Sequence, residues 1–424
     1  MTVAGQRKGW CPGVHRPMLT GDGLLVRLRI TQGALTAETA SAIARLAARH
    51  GNGAIDLTQR ANLQLRGVRD ESLPALTDGL FELGLLDPTV EAEAARNVLV
   101  SPLMGLDPSC ANAVAIVQEL EQGLQRDQHW QGLPAKFNFS VDGGGYWPLG
   151  ETGADIALVA APGGQFWQVR LAGSNHLSSP VGSEHMGSLA LQLARLFISA
   201  RTTDYLLRMR DLVARDDVAR LLGAVGLEIG ASACVSPVMS NPGVGVHHLD
   251  QAAVVAAIGL PFGRIEALQL EDLAMAAESG SSIRLTPWRM LVISCSDAKQ
   301  GQALLTHAAK AGLAVSADDV RVMIDACTGA PACANASVPA RDDAAMIARR
   351  LGRVSVQRGA IHISGCAKGC AHRGTAKVTL VGRDGRYDLI ENGAAADTPV
   401  RRNIAQAELT SAVLTCLSAQ EAGP

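Results

Sequence analysis

The sequence predicts an α+β protein built on a duplicated plan, with two small half-modules and two larger α+β lobes around a central cleft. Three observations predict it. The chain has 424 residues, more than one hydrophobic core usually fills. Apolar residues at 47% against 18% charged can pack real cores instead of staying disordered. The second half also repeats the first.

The repeat supplies the elements in order. The stretch from Gly23 to Leu65, GLLVRLRITQGALTAETASAIARLAARHGNGAIDLTQRANLQL, lies over Ala252 to Ile293, AAVVAAIGLPFGRIEALQLEDLAMAAESGSSIRLTPWRMLVI. In each copy an apolar run precedes Gly33 or Gly263 and an Ala- and Leu-rich segment of helical period follows. Ile55-x-Leu-Thr or Ile283-x-Leu-Thr then opens an alternating strand. Both copies read strand, Gly turn, helix, Gly turn, strand. Downstream, Arg96-Asn-Val-Leu-Val-Ser-Pro faces Arg321-Val-Met-Ile-Asp-Ala-Cys, and Ala135-Lys-Phe-Asn-Phe-Ser-Val-Asp-Gly faces Ala360-Ile-His-Ile-Ser-Gly-Cys. Half-modules are therefore expected at 1–75 and 231–297, and lobes at 76–230 and 298–424. The break between halves is expected in the Gly-, Ser- and Pro-rich stretch 226–242. Duplicated halves that pack together leave a cleft, a common place for a ligand.

Composition excludes several functions. Aromatic residues are 3%, too few for the stacking platforms of nucleic-acid binders, and a net charge of -2 gives no field for polyanions or acidic membranes. The opening MTVAGQRKGWCPGVHRPML has basic residues but no apolar run after them. No window reaches the roughly 18 apolar residues of a membrane span. A cytoplasmic protein with neither nucleic-acid nor membrane partners is expected. No G-x-G-x-x-G opens a helix after a strand, and Gly143-Gly-Gly145 reads as a hairpin turn, not a phosphate loop.

Nine cysteines are too few for a disulfide scaffold at this length, and four crowd into 327–370. Cys327-Thr-Gly-Ala-Pro-Ala-Cys333 is a C-x5-C loop; Gly365-Cys366-Ala-Lys-Gly-Cys370 is a C-x3-C turn after the β-like run Ile361–Ser364. Four cysteines form the usual shell of a 4Fe-4S cluster, and Gly and Ala beside them let backbone N–H groups reach sulfur. Structural zinc also takes four cysteines, although normally in closer C-x2–4-C pairs. Cys11, Cys110, Cys234, Cys295 and Cys416 stand apart and read as free buried thiols.

The C-x5-C and G-C-x3-C pattern in the second half of a duplicated chain resembles the sulfite and nitrite reductases, with their ferredoxin-like half-modules. The resemblance covers nearly the whole chain. Leu57-Thr-Gln-Arg-Ala-Asn-Leu-Gln-Leu-Arg66 resembles their first tetrapyrrole-contacting strand, and Arg96-Asn-Val their second contact. Leu133-Pro-Ala-Lys-Phe137 resembles their lysine strand. Gly259-Leu-Pro-Phe-Gly-Arg-Ile265 and Arg284-Leu-Thr-Pro-Trp-Arg289 resemble their second-half module. By this resemblance Cys370 lies nearest the tetrapyrrole. Those reductases carry two alternating lysines that face a bound anion, where this chain has Lys136 and then Asn138. A missing cation weakens oxyanion binding.

The opening Gly9-Trp-Cys-Pro-Gly-Val-His-Arg-Pro-Met18 and Gly21-Asp-Gly-Leu-Leu-Val-Arg-Leu-Arg29 resembles the signature of the precorrin-3B synthase family of aerobic cobalamin biosynthesis. That resemblance implies a monooxygenase acting on precorrin-3A. It would hydroxylate the meso carbon between rings A and D while a ring A acetate closes a γ-lactone. A 4Fe-4S cluster, a mononuclear non-haem iron, O2 and ultimately NADH are implied, with a separate reductase or ferredoxin passing electrons in. Arginine forks match carboxylates, so Arg60, Arg66, Arg96, Arg284 and Arg289, with Lys136, are the expected clamps on the acetates and propionates. The iron ligands are not legible; Cys11/His15 and His247/His248 fit the types loosely. His362 and His372 flank the cluster turn and are expected to tune it. The alternative is a sirohaem-dependent sulfite or nitrite reductase with Lys136 as the remaining anion contact; a bare electron carrier would need no such arginines.

Overall fold

The structure, a computed structural model, describes residues 10–126, 128–201, 207–232, 243–250, 253–352 and 356–421. Gly9, Cys234 and the break from 233 to 242 lie outside the described residues.

In the first half-module, strand β1 (Gly23–Leu28) alternates Val26 and Leu28 inward with Arg27 and then Arg29 outward. A short β2 (Ala34–Thr36) leads into helix α1 (Ala37–His50). The Thr36 hydroxyl accepts the Thr39 N–H at 3.1 Å and caps that helix. Ala40, Ile43, Ala44 and Ala47 form its buried stripe. Strands β3 (Ala54–Leu57) and β4 (Leu63–Val68) pair antiparallel, and helix α2 (Leu73–Glu82) closes the unit.

The first lobe sets β5 (Val98–Val100), β6 (Phe139–Asp142) and β7 (Ile156–Ala160) parallel, with β8 (Phe166–Leu171) antiparallel to β7. Helices α3 (Val114–Arg126) and α4 (Met186–Ala200), the latter bearing Phe197, pack over Phe137, Phe139 and Trp167. The second half-module repeats the first as β9 (Ala253–Gly259), β10 (Arg264–Glu266), α5 (Ala267–Ala276), β11 (Ser282–Leu285), β12 (Met290–Cys295) and α6 (Ala298–Lys310). The second lobe repeats the parallel trio as β13 (Ile324–Ala326), β14 (Ile361–Ser364) and β15 (Ala376–Arg383), with β16 (Arg386–Gly393) antiparallel and helices α7 (Ala340–Leu351) and α8 (Leu409–Glu421) on one side.

The half-modules exchange strands. β10 leaves its own unit and pairs with β3, setting Arg264 opposite Asp56 and Ile265 opposite Ile55. Reciprocally, β2 pairs with β11, setting Ala34 opposite Arg284 and Leu35 opposite Ile283. Ile55, Leu65, Ile283 and Ile293 consequently share one core. Backbone turns recur at matching places, with positive φ at Gln32 and Phe262 and again at Ala61 and Arg289.

Several expectations change. The module core runs past residue 75 into α2, through Leu76 and Leu80, and past 297 into α6, through Leu304 and Leu305. The two half-modules are one packed unit flanked by two lobes. Gly143–Gly145 is not a hairpin turn, because β6 and β7 are parallel and their connection must cross over. Lys136 lies on a turn, since the strand begins only at Phe139.

The paired modules present two outer faces. One carries Arg27, Asp56, Gln64 and Arg66, and Asp56 meets Arg341 of the second lobe at 3.0 Å. The other carries Val255, Ala257 and Val292, packed against Leu103 and Trp147 of the first lobe. No helix among the described residues is long and apolar enough to cross a membrane.

Candidate functional site

Parallel pairing of β13 with β14 sets Ala326 opposite Ile363, so Cys327 and Cys366 emerge at the same end of the sheet. The Cys327 N–H donates to Ile363 O at 3.1 Å, and the Gly365 N–H donates to the Cys327 sulfur at 3.0 Å. A side chain at Gly365 would bring a Cβ within 2.5 Å of the Ala336 Cβ, so glycine lets the two loops close on each other. Burial and then the thiols of Cys333 and Cys366 push the Cys327 thiol up, against the N–H groups of Gly365 and Gly329. Burial and the other three thiols push Cys370 up in the same way, opposed by Lys368. Thiols crowded like this hold their protons until a cation neutralises them. Among the described residues no three His, Cys, Asp or Glu side chains gather tightly enough for a single metal ion. Two thiol pairs on two loops, with the Gly365 and Gly329 N–H groups on the Cys327 sulfur, have the donor chemistry of a four-iron cube.

The first lobe shows the same framework without the two cysteine pairs. There the Ser101 N–H donates to Val141 O at 3.0 Å, and the Gly143 N–H donates to the Ser101 hydroxyl at 2.9 Å. Ser101 occupies the place of Cys327.

Both cysteine loops are tied to the half-modules. Ala332 O, beside Cys333, accepts from Arg66 Nη2 at 3.1 Å and from the Gly21 N–H at 3.0 Å. Asp56 is ringed by Arg264 at 2.8 Å, Arg341 at 3.0 Å and Arg66 at 3.6 Å, and accepts from the Thr328 hydroxyl at 3.5 Å. Burial alone would raise the Asp56 carboxyl, but Arg341, Arg264 and Arg66 hold it well below the usual range. On the other loop Ala371 O accepts from Gln59 Nε2 at 2.9 Å and Arg289 Nη2 at 2.6 Å. Arg289 Nη1 also donates to Asp325 at 2.6 Å, and Asp325 pairs with His372 Nδ1 at 2.8 Å. That bond raises the His372 pKa. His362 is fully buried with neither ring nitrogen bonded, and burial pushes it down to about 4, so it is neutral.

The expected clamps divide. Arg66 is 4% exposed and forks onto Asp22 at 2.7 and 2.9 Å. Arg96, also 4% exposed, forks onto Asp87 at 2.6 and 2.9 Å and reaches Glu121 at 3.5 Å. These two, expected to face a ligand, face internal carboxylates instead. Arg289 is engaged with the loop that carries Cys366 and Cys370. Arg284 pairs in register with Val292, on the face covered by the first lobe, and its Nε has no partner.

Arg60 reaches across to the first lobe. Its Nη2 donates to Lys136 O at 2.9 Å, while the Lys136 side chain is exposed. Burial, opposed by Cys11 and reinforced by Arg373, Arg27 and Arg208, pushes Arg60 down to about 10. Arg27 is likewise lowered by burial, in contact with Cys11 and near Arg373. With its amide oxygen turned inward, Gln64 accepts from Arg27 at 2.6 and 3.1 Å. The motifs missed Arg27 and Arg373. Their signals were the outward positions of β1 and a basic residue three places after Cys370.

The segment from Trp10 covers this region. Glu93 accepts the N–H groups of Val14 at 2.5 Å and His15 at 3.3 Å and lies 3.8 Å from Arg29. Trp10, Cys11, Arg16, Arg29 and Glu93 line a pocket of about 50 Å³. His15 Nε2 is taken by Asp87 O at 2.6 Å and His247 Nε2 by Gly243 O at 2.8 Å. The described residues therefore offer no ligand set for a mononuclear iron.

Residues 16–83 match the nitrite/sulfite reductase ferredoxin-like half domain. Over the full length, the chain is similar to the NirA protein of Mycobacterium tuberculosis, with a TM-score of 0.74, 19% identity, and coverage of 92% of this chain and 79% of that one. This likeness shows the fold. It is 26% identical over 415 residues to a ferredoxin–nitrite reductase of Synechococcus elongatus, covering 90% of this chain and 80% of that protein. It is 32% identical over 403 residues to a precorrin-3B synthase of a Sinorhizobium species, covering 94% of this chain and 86% of that protein. At that identity and coverage, and with this fold, the chain belongs to the precorrin-3B synthase family, within the sulfite/nitrite-reductase-like superfamily.

Proposed function

We propose that the protein is an oxidoreductase of cobalamin biosynthesis that converts precorrin-3A to precorrin-3B with O2, adding a hydroxyl at the meso carbon and closing the γ-lactone. The observation that carries this reading is the arginine group of Arg27, Arg60 and Arg373 beside the cysteine turn. None of the three donates to a carboxylate among the described residues. Guanidinium groups crowded together favour a ligand that brings several carboxylates, as a tetrapyrrole with acetate and propionate arms does. They would bind and orient the macrocycle, and the segment bearing Trp10 and Cys11 would keep water from it.

Cys327, Cys333, Cys366 and Cys370 would hold a 4Fe-4S cluster, which when bound supplies one-electron relay from a ferredoxin or reductase partner fed by NADH. Oxyanion reduction is the less suited alternative. Arg29 and Arg96 already face Glu93, Asp87 and Glu121, and Asn138 is 4% exposed and accepts from Arg208 at 3.3 Å.

The test is turnover of precorrin-3A with a reduced donor and isotopically labelled O2. The product should be heavier by one oxygen atom carrying the label, and anaerobic samples should be inactive. Protein that carries sirohaem as isolated and steadily reduces sulfite or nitrite without O2 would overturn the proposal in favour of the reductase.

A further inference from the structure

The two half-modules form the same turn between matching strands. Thr58 N–H donates to Asn62 O at 2.9 Å in one, and Thr286 N–H donates to Met290 O at 3.2 Å in the other, each turn carrying a positive φ, at Ala61 and Arg289. In the first turn Gln59 extends its amide, and in the second Arg289 extends its guanidinium. Both end on one atom, the carbonyl oxygen of Ala371, at 2.9 and 2.6 Å. Ala371 directly follows Cys370.

We infer that Gln59 and Arg289 are positioning residues for the Cys366–Cys370 turn, one from each half of the duplicated unit. The inference rests on the cluster reading proposed above. A carbonyl that accepts two donors, one of them charged, loses the freedom to rotate its peptide, and the neighbouring thiol is fixed with it. Arg289 adds a second hold, because its other nitrogen binds Asp325, which leads to His372 on the far side of the same turn. The turn is thus gripped at Ala371 and at His372. Gly263 leaves room for this reach: a Cβ there would stand 2.6 Å from the Arg289 Cδ. A substrate clamp must present its fork to the cleft, whereas both ends of this fork are occupied by the protein.

The experiment compares Gln59→Ala, Arg289→Lys and Arg289→Gln with the parent after anaerobic reconstitution. It reads iron and sulfide content, cluster reduction potential, the rate of iron loss to a chelator, and precorrin-3A affinity. Gln59→Ala alters only one side chain on an exposed turn position, and lysine keeps the charge but cannot span both acceptors. All three should start with the parent's iron and bind precorrin-3A as the parent does. They should show a shifted potential and lose iron faster, by several-fold in Gln59→Ala, which loses one neutral hydrogen bond, and roughly tenfold in the Arg289 variants, which lose a charge-assisted one. Unchanged potential and iron loss, together with weakened precorrin-3A binding in the Arg289 variants, would make Arg289 a substrate contact and overturn the inference. A parent protein that takes up no cluster overturns the cluster reading itself, a result distinct from the first.

Discussion

Replacing Arg96 by Met separates an internal tie from a ligand clamp. The side chains of Arg96, Asp87 and Glu121 are 4%, 2% and 6% exposed, so the substitution leaves two carboxylates in a water-poor interior. Among the described residues, Asp87 would keep only Gln125 Nε2, at 3.0 Å, as a side-chain donor. Removing one partner of a buried pair costs about 3–5 kcal/mol because the remaining charge stays uncompensated. Urea unfolding followed by tryptophan fluorescence suits this lobe, since Trp130 and Trp167 are buried in its core. The Arg96→Met transition should fall to a clearly lower urea concentration, while precorrin-3A affinity of the folded protein stays that of the parent. Arg60→Ala should do the reverse. It should unfold with the parent and lose about 1.5–3 kcal/mol of binding, the value of a charge-assisted hydrogen bond. An Arg96→Met protein that unfolds with the parent yet no longer binds precorrin-3A would refute the assignment of Arg96 to the interior.

Serine at Cys327, Cys333, Cys366 or Cys370 should abolish iron and sulfide retention, whereas serine at Cys110 or Cys416 should leave both contents unchanged; elemental analysis decides. The Asp56 carboxyl, held below its ordinary value of 3.8 by the three arginines, stabilises the fold above that pH. This stability drains away as pH falls further, because the unfolded chain takes up the proton first. Urea midpoints from pH 6 downward should therefore drop more steeply in the parent than in Asp56→Asn, and equal slopes would disprove the linkage. Asn138→Lys places an ammonium against Arg208 and should cost about 1–3 kcal/mol without creating sulfite reduction, checked by unfolding and by a reduced-dye assay.

Much of this plan was legible in the chain because local chemistry specified it. Glycines at 33, 53, 263 and 280 take positive φ at the turns, and the apolar periods between them locate α1 and α5. The Ile361–Ser364 strand and the cysteine spacings were readable for the same reason. What sequence could not give depended on distant partners. β2 and β10 have three residues each, too few for a period, and become strands only by pairing with the other module. An arginine fork reads the same whether it meets a ligand or an aspartate, and Asp22 lies 44 residues from Arg66. Gly143 looked like a hairpin because parallel or antiparallel return is decided by the sheet, not by the glycines.

The strand exchange also bears on how such a chain arose. A polypeptide of half this length could not bury Ile55 or Ile283 alone; it would have to borrow a strand from a second copy of itself and would exist only as a twofold dimer, folded in proportion to its concentration. Joining the copies in tandem turns that encounter into an intramolecular one at high effective concentration. It also releases the copies from identity. In a symmetric dimer a mutation of the first thiol strikes both lobes at once, but in the fused chain one lobe can carry Ser101, still accepting the Gly143 N–H at 2.9 Å, while the other keeps Cys327.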